Sequence, residues 1–140
     1  MLLTLRDYWM GRDEKYPLAM STGIDHNASI LVSVVNGWIL DAKSRGAVFE
    51  IHPETKTIVS SGWRPPAVNS STPGAAKNSK HMTGQAIDLY GPGNKLATFA
   101  FENQDLLKEA GLWMEAPSAT PTWLHLQTVP PKSGNRVFYP

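Results

Sequence analysis

The residues of this sequence best suited to metal chemistry are two histidines and one aspartate: His81, Asp88 and His125. Two imidazoles and one carboxylate, with a fourth position open to water, form the ligand set of a catalytic zinc site. The sequence contains no cysteine, so nitrogen and oxygen atoms must hold any zinc ion. This combination of residue types favours metal-assisted hydrolysis.

Two short segments of alternating apolar and polar residues would position two of these three side chains. In a strand, successive side chains point to opposite faces. In 85–89, Asp88 would lie on the face of the strand that does not carry the apolar residues. In 123–127, His125 would lie on the corresponding face. The apolar faces consist of Ile87, Leu89, Leu124 and Leu126. Neighbouring strands would then bring Asp88 and His125 together, with His81 entering from the loop before Gly84.

Helical spacing of apolar residues predicts two further elements. One helix is expected from Asn27, as the N-cap, to Arg45, with Gly46 just beyond its end. A second is expected over 96–110, interrupted near Asn103 and stopped by Gly111. Residues 4–18 are expected to be irregular or to form a short helix.

The rest of the chain is expected to form a hairpin, a long loop and a surface tail. The hairpin would join strands over 48–51 and 57–61. Residues 62–79 are rich in Pro, Ser, Asn and Gly, and a loop this long in a small domain is usually functional. The tail, 130–140, is expected to lie on the surface.

Length and composition narrow the class of protein. A chain of 140 residues is expected to form one domain, 1–140. A net charge of +1 without a basic block gives little support for nucleic-acid binding, so no nucleic-acid partner is expected. No apolar run reaches the ~20 residues that span a bilayer. The N-terminus has no signal-peptide pattern, which predicts synthesis in the cytoplasm without an export signal.

A longer pattern around the three metal-binding candidates resembles a known family. It reads Ser79-x-His81-x-x-Gly84-x-Ala86-x-Asp88, with Ser61-Gly62-Trp63-Arg64 before it and Trp123-x-His125 after it. It is similar to the zinc D-Ala-D-Ala carboxypeptidase and endolysin peptidase family, peptidase family M15. That family includes vancomycin-resistance dipeptidases and phage L-alanyl-D-glutamate endolysins, and it shares a metal-bearing fold with hedgehog domains. The motifs span roughly 58–128, and residues 133–140 look like the ending of small phage-type members.

The resemblance assigns roles to these residues. His81, Asp88 and His125 would be the zinc ligands. The family often has its general base three residues before the second histidine, but this position is Thr122, which cannot serve. Glu115, in a loop that could fold back toward the metal, is the nearest candidate, ahead of Asp13 and Glu50. Arg64 would stabilise the negative charge that develops on the reacting carbonyl or bind a substrate carboxylate. Ser79, Gln127 and Trp123 are assigned to substrate binding.

Together these observations predict a single α+β domain with a mainly antiparallel sheet, helices packed on one face and a zinc cleft on the other. The expected function is zinc-dependent hydrolysis of peptide bonds in bacterial peptidoglycan, by a monomer. Stem peptides would be the substrate, with a holin or phage-particle proteins as further partners and the bacterial cell wall as the site of action. Two alternatives remain open: a non-catalytic, metal-containing wall-binding module, which Thr122 favours, and a phage structural module.

Overall fold

The longest element is helix α3, Thr22–Ser44, in a computed structural model that describes residues 2–140. Its N-cap is Ser21, whose Oγ accepts a hydrogen bond from the Ile24 N–H at 3.1 Å. The predicted start at Asn27 is therefore wrong, because the preceding turn is mostly polar and hides the helical periodicity. Asn27 lies inside α3 and donates to the Thr83 carbonyl instead. No helix in 2–140 is long and apolar enough to cross a membrane.

Two short α-helices precede α3, and the first of them packs the N-terminal segment against the sheet. Helix α1, Leu5–Trp9, begins with a capping box formed by Thr4 and Asp7, and α2, Arg12–Lys15, follows directly. Tyr8 is fully buried, and its hydroxyl donates to the Ala86 carbonyl at 2.9 Å. The N-terminal segment is thus tied to the sheet close to the predicted metal-binding residues.

Within residues 2–140, five strands form one sheet in the order β1-β2-β4-β3-β5. The strands are β1 Val59–Ser61, β2 Ala86–Tyr90, β3 Trp113–Glu115, β4 Trp123–Gln127 and β5 Val137–Phe138. The pairs β1–β2, β2–β4 and β4–β3 are antiparallel, whereas β3–β5 is parallel. The fold is therefore α+β with a mixed sheet.

Three further helices complete the fold. They are α4 Pro66–Ser71, α5 Lys95–Glu102 and α6 Gln104–Ala110. The predicted interruption at Asn103 and the stop at Gly111 are confirmed, and Gly111 has a left-handed φ of 72°. Apolar residues of α3, α5 and α6 share one buried core with the apolar residues of β2 and β4. This burial fixes which face of each central strand points away from the core.

Two predicted features outside this core are wrong, and a third lacks a strand that the structure contains. Residues 48–51 form no strand, because Val48 is 75% exposed and β1 pairs with β2 rather than with a hairpin partner. The predicted loop 62–79 contains helix α4. The tail, 130–140, lies at the surface as predicted, since none of its residues is buried, but it also contributes β5, which lies alongside β3.

Two glycines allow backbone segments to approach closely next to the predicted metal-binding residues. A Cβ at Gly62 would lie 1.9 Å from the Tyr8 carbonyl oxygen, which is an impossible contact. Gly84 has a φ of +77°, and a Cβ there would lie 2.8 Å from the Ile24 carbonyl oxygen. Glycine is therefore required at both positions, so that the backbone next to the predicted ligands can contact α1 and α3.

Candidate metal centre

Three predicted ligands converge in the structure. His81, Asp88 and His125 each offer one donor atom, and these atoms all lie within 4.8 Å of one another. Asp88 and His125 are directly opposite each other in the antiparallel pair β2–β4. His81 comes from the turn before β2. All three residues are buried, with exposures of 3%, 5% and 7% respectively.

Hydrogen bonds fix the orientation of both imidazoles. Nδ1 of His81 lies 2.8 Å from the Gly62 carbonyl oxygen, and Nε2 of His125 lies 2.8 Å from Oε1 of Gln127. Gln127 is itself held, because its Nε2 donates to the Val129 carbonyl at 2.6 Å. Since these oxygens only accept hydrogen bonds, the ring nitrogens facing them carry the hydrogens. A neutral imidazole then has its lone pair on the other nitrogen.

These lone pairs point at the same carboxylate. Nε2 of His81 lies 3.4 Å from Oδ1 of Asp88, and Nδ1 of His125 lies 2.9 Å from the same oxygen. Three electron-rich atoms so close together repel one another unless a proton or a metal ion lies between them. Two nitrogen donors and one oxygen donor suit zinc. The donor set therefore fits a zinc ion.

The pKa values of Asp88 and His125 also indicate a site that binds a cation. Burial alone would raise the pKa of Asp88, but the charges and hydrogen bonds of His81 and His125 hold it well below its usual range. Burial alone would lower the pKa of His125, but the hydrogen bond and charge of Asp88, with smaller contributions from Glu115 and Gln127, raise it to about 8. The centre thus attracts positive charge, and a proton on His125 competes with a metal ion.

Arg64 lies beside the carboxylate of this centre. Its Nε donates to Oγ of Ser61 at 3.0 Å, and one terminal nitrogen lies 3.4 Å from Oδ2 of Asp88. The side chain is only 12% exposed. A guanidinium has five N–H donors, so further N–H groups remain for a bound molecule.

Glu115 also lies at the centre, but it is at the end of strand β3 rather than in the predicted loop. Its Oε1 is 3.7 Å from Nδ1 of His125, and the side chain is 17% exposed. The main chain around it is fixed by β5, since the Ala116 N–H donates to the Phe138 carbonyl at 2.7 Å. A rigid strand therefore holds this carboxylate next to the three candidate ligands.

A pocket of about 290 Å³ opens onto the centre. Its lining includes the three candidate ligands, Glu115, Arg64 and all three predicted substrate-binding residues, Ser79, Trp123 and Gln127. Both ends of the Gln127 amide are already engaged, so this residue orients His125. The Ser79 Oγ accepts from the His81 N–H at 3.2 Å.

Several other candidates lie away from the pocket. Asp13 and Glu50 do not line it, and Thr122 is exposed. Within residues 2–140, Asp88 and Glu115 supply the only side-chain carboxylates that line the pocket.

Two features of the site were not predicted. Phe138 packs edge-on against His125, with ring centroids 6.2 Å apart. The carbonyl of Gly62 orients His81. A main-chain acceptor cannot be predicted from residue type, because every residue has a carbonyl group. The glycine at position 62 is only a weak indication of close packing there.

Comparison with known families agrees with this geometry. The family described as Peptidase M15 matches residues 16–116, which include His81, Asp88 and Glu115 but end before His125. No curated protein and no solved structure matches the chain. The M15 family indicates a metallopeptidase, in agreement with a His-Asp-His group that could hold a metal ion. The match spans well over half of the sequence, and the chain belongs to the Peptidase M15 family.

Proposed function

We propose that this protein is a zinc peptidase that hydrolyses peptide bonds in bacterial peptidoglycan, with its zinc in a cleft on the sheet face opposite the core helices. The observation that carries this proposal is the convergence of His81, Asp88 and His125, with both imidazoles oriented by carbonyl acceptors. Family membership supports the reaction class and a peptidoglycan-type substrate.

The three residues would hold zinc through Nε2 of His81, a carboxylate oxygen of Asp88 and Nδ1 of His125. When bound, zinc supplies Lewis acidity toward a carbonyl oxygen and toward water. The hydrogen bonds from the imidazoles to Gly62 and Gln127 would keep both lone pairs aimed at the ion.

Glu115 would act as the general base. Its carboxylate lies 3.7 Å from Nδ1 of His125 and is only 17% exposed, which would place it beside a water molecule held at the metal. It would accept a proton from the attacking water and return it to the leaving amine. The absence of a carboxylate at Thr122 makes Glu115 the group available for this step.

Arg64 would stabilise the negative charge that develops on the carbonyl oxygen of the scissile bond. The contacts with Ser61 and Asp88 hold its guanidinium in place before substrate arrives. A donor that is already oriented need not reorganise during the reaction, which is why such groups are effective in catalysis. Ser79 and Trp123, which line the same pocket, would contact the stem peptide.

The test is digestion of purified peptidoglycan, followed by mass spectrometry of the released muropeptides. We expect new peptide ends that disappear after chelation and return with added zinc. The masses would name the bond, D,D or L,D, and distinguish an endopeptidase from a carboxypeptidase. Zinc binding without any cleavage would favour the alternative, a non-catalytic wall-binding or phage structural module, for which Thr122 is the supporting observation.

We further propose a role as a phage-type endolysin that acts as a monomer and reaches the wall through a holin. The support is the resemblance of the motifs and of residues 133–140 to small phage-type members of the family. Expression in bacteria should be harmless alone and should cause lysis when a pore-forming partner is co-expressed. Lysis that is independent of the partner would contradict this role.

A further inference from the structure

Lys80 is an unpaired cation in the wall of the metal pocket. Its main chain is fixed, because its carbonyl accepts hydrogen bonds from the Gln85 N–H at 3.0 Å and from Oγ1 of Thr83 at 3.2 Å. The residue is half-buried and lines the pocket directly beside His81. Within residues 2–140 its ammonium group has neither a hydrogen bond nor an ion pair.

The loop that precedes Lys80 offers no partner for this ammonium. Residues 72–79 form much of the pocket wall and contain no acidic side chain. The side-chain carboxylates of the pocket are those of Asp88 and Glu115, and both lie next to His125. An ammonium that has no ionic partner in the protein is free to bind an incoming anion, and a hydrogen bond between two charged groups is stronger than one between neutral groups.

The charge balance of the pocket supports an anionic ligand. Two cationic side chains, Arg64 and Lys80, and two anionic ones, Asp88 and Glu115, line it. A divalent cation at the His-Asp-His group would leave an excess of two positive charges. Because Arg64 already contacts Asp88 and Ser61, Lys80 is the cation most available to a ligand.

We infer that Lys80 binds a free carboxylate of the substrate close to the scissile bond, so that the preferred substrate is an acidic peptide. This inference rests on the proposed peptidase function and names a specificity residue for it. A lysine suits this role because its ammonium is a point charge on a flexible stem and does not require one carboxylate geometry.

The test pairs a variant with a change in the substrate. Lys80→Gln removes the charge, and Lys77→Gln is the matched control, since Lys77 is an exposed lysine of the same loop that does not line the pocket. The probes are synthetic peptides of stem composition in which the glutamyl and the C-terminal carboxylates are each free or amidated. Zinc content is measured for every variant.

In the parent and in Lys77→Gln, amidation of one of these carboxylates should raise KM by ~10-fold to 100-fold, the scale of a hydrogen bond to a charged group. Lys80→Gln should already have this raised KM for the peptide with the free carboxylate, and amidation should raise its KM no further. Its zinc content should equal that of the parent. Equal discrimination by Lys80→Gln and the parent would overturn the inference.

Binding of the same peptides, measured by calorimetry, separates this inference from the proposed function. If the parent cleaves no peptide and no peptidoglycan, the peptidase proposal fails. A selective loss of carboxylate binding in Lys80→Gln would still support the role of Lys80. Equal binding of free and amidated peptides by the parent would overturn it.

Discussion

Replacing Gln127 by leucine should weaken zinc binding while leaving the fold intact. Gln127 is 6% exposed, and its Oε1 is 2.8 Å from Nε2 of His125, which is 7% exposed. Leucine has a similar size but no acceptor, so the imidazole N–H would be buried without a partner. The ring would then lose the preference for the tautomer whose lone pair on Nδ1 faces Asp88.

The size of this effect follows from the burial of the pair. A buried donor left without an acceptor costs about 1–3 kcal/mol. At 1.4 kcal/mol per factor of ten, this corresponds to roughly 5-fold to 150-fold in zinc affinity, close to the ~10-fold to 100-fold usual for the hydrogen-bond partners of metal ligands. Gln127→Glu should retain the affinity or raise it, because a carboxylate accepts the same hydrogen bond more strongly.

Competition with a chromophoric zinc chelator measures this affinity directly. Gln104→Leu on α6 is the matched control, since that glutamine donates only to the Phe101 carbonyl and lies outside the pocket. Circular dichroism and thermal melts of the metal-free proteins would show whether the fold is retained. A folded Gln127→Leu protein with the parent's zinc affinity would refute the reasoning about tautomer control.

Three further outcomes follow from the site. Glu115→Gln should keep its zinc and lose hydrolysis by ~10²-fold or more, the scale of general acid–base catalysis, as measured by release of muropeptides; near-normal turnover would exclude Glu115 as the base. Arg64→Lys should not restore full kcat, because an ammonium lacks the fork that spans Ser61 and Asp88; a lysine variant as active as the parent would make Arg64 a bystander. Because the pKa of His125 is raised to about 8 in the metal-free protein, apparent zinc affinity should fall as pH drops below that value and level off above it; chelator competition across this range checks the slope, and a flat profile would contradict it.

The sequence predicted the centre of the sheet because period-two patterning is explicit there. Asp88 and His125 alternate with apolar residues, and β2 and β4 pair with these two residues opposite each other, as expected. The helix break at Asn103 and the stop at Gly111 were also predictable, since both depend on local backbone preferences.

The edge of the sheet was not predictable in the same way. Strands β3 and β5 have three and two residues, too few to show alternation, and each depends on a partner distant in sequence. This is why Glu115 was assigned to a loop although it belongs to a strand. The hydrogen bond from His81 to Gly62 was hidden for another reason, because any residue could supply that carbonyl oxygen.

The backbone at Gly62 contacts both the candidate ligand His81 and the N-terminal helix α1. Its carbonyl accepts from His81, its N–H lies 3.1 Å from Sδ of Met10, and the next N–H, of Trp63, donates to Tyr8. One peptide segment thus holds both a candidate ligand and the end of α1. Free energy gained when a ligand binds only the native state adds to the stability of that state. If the group holds a metal ion, metal binding and the packing of the N-terminal helix would be linked equilibria, because both depend on the position of Gly62.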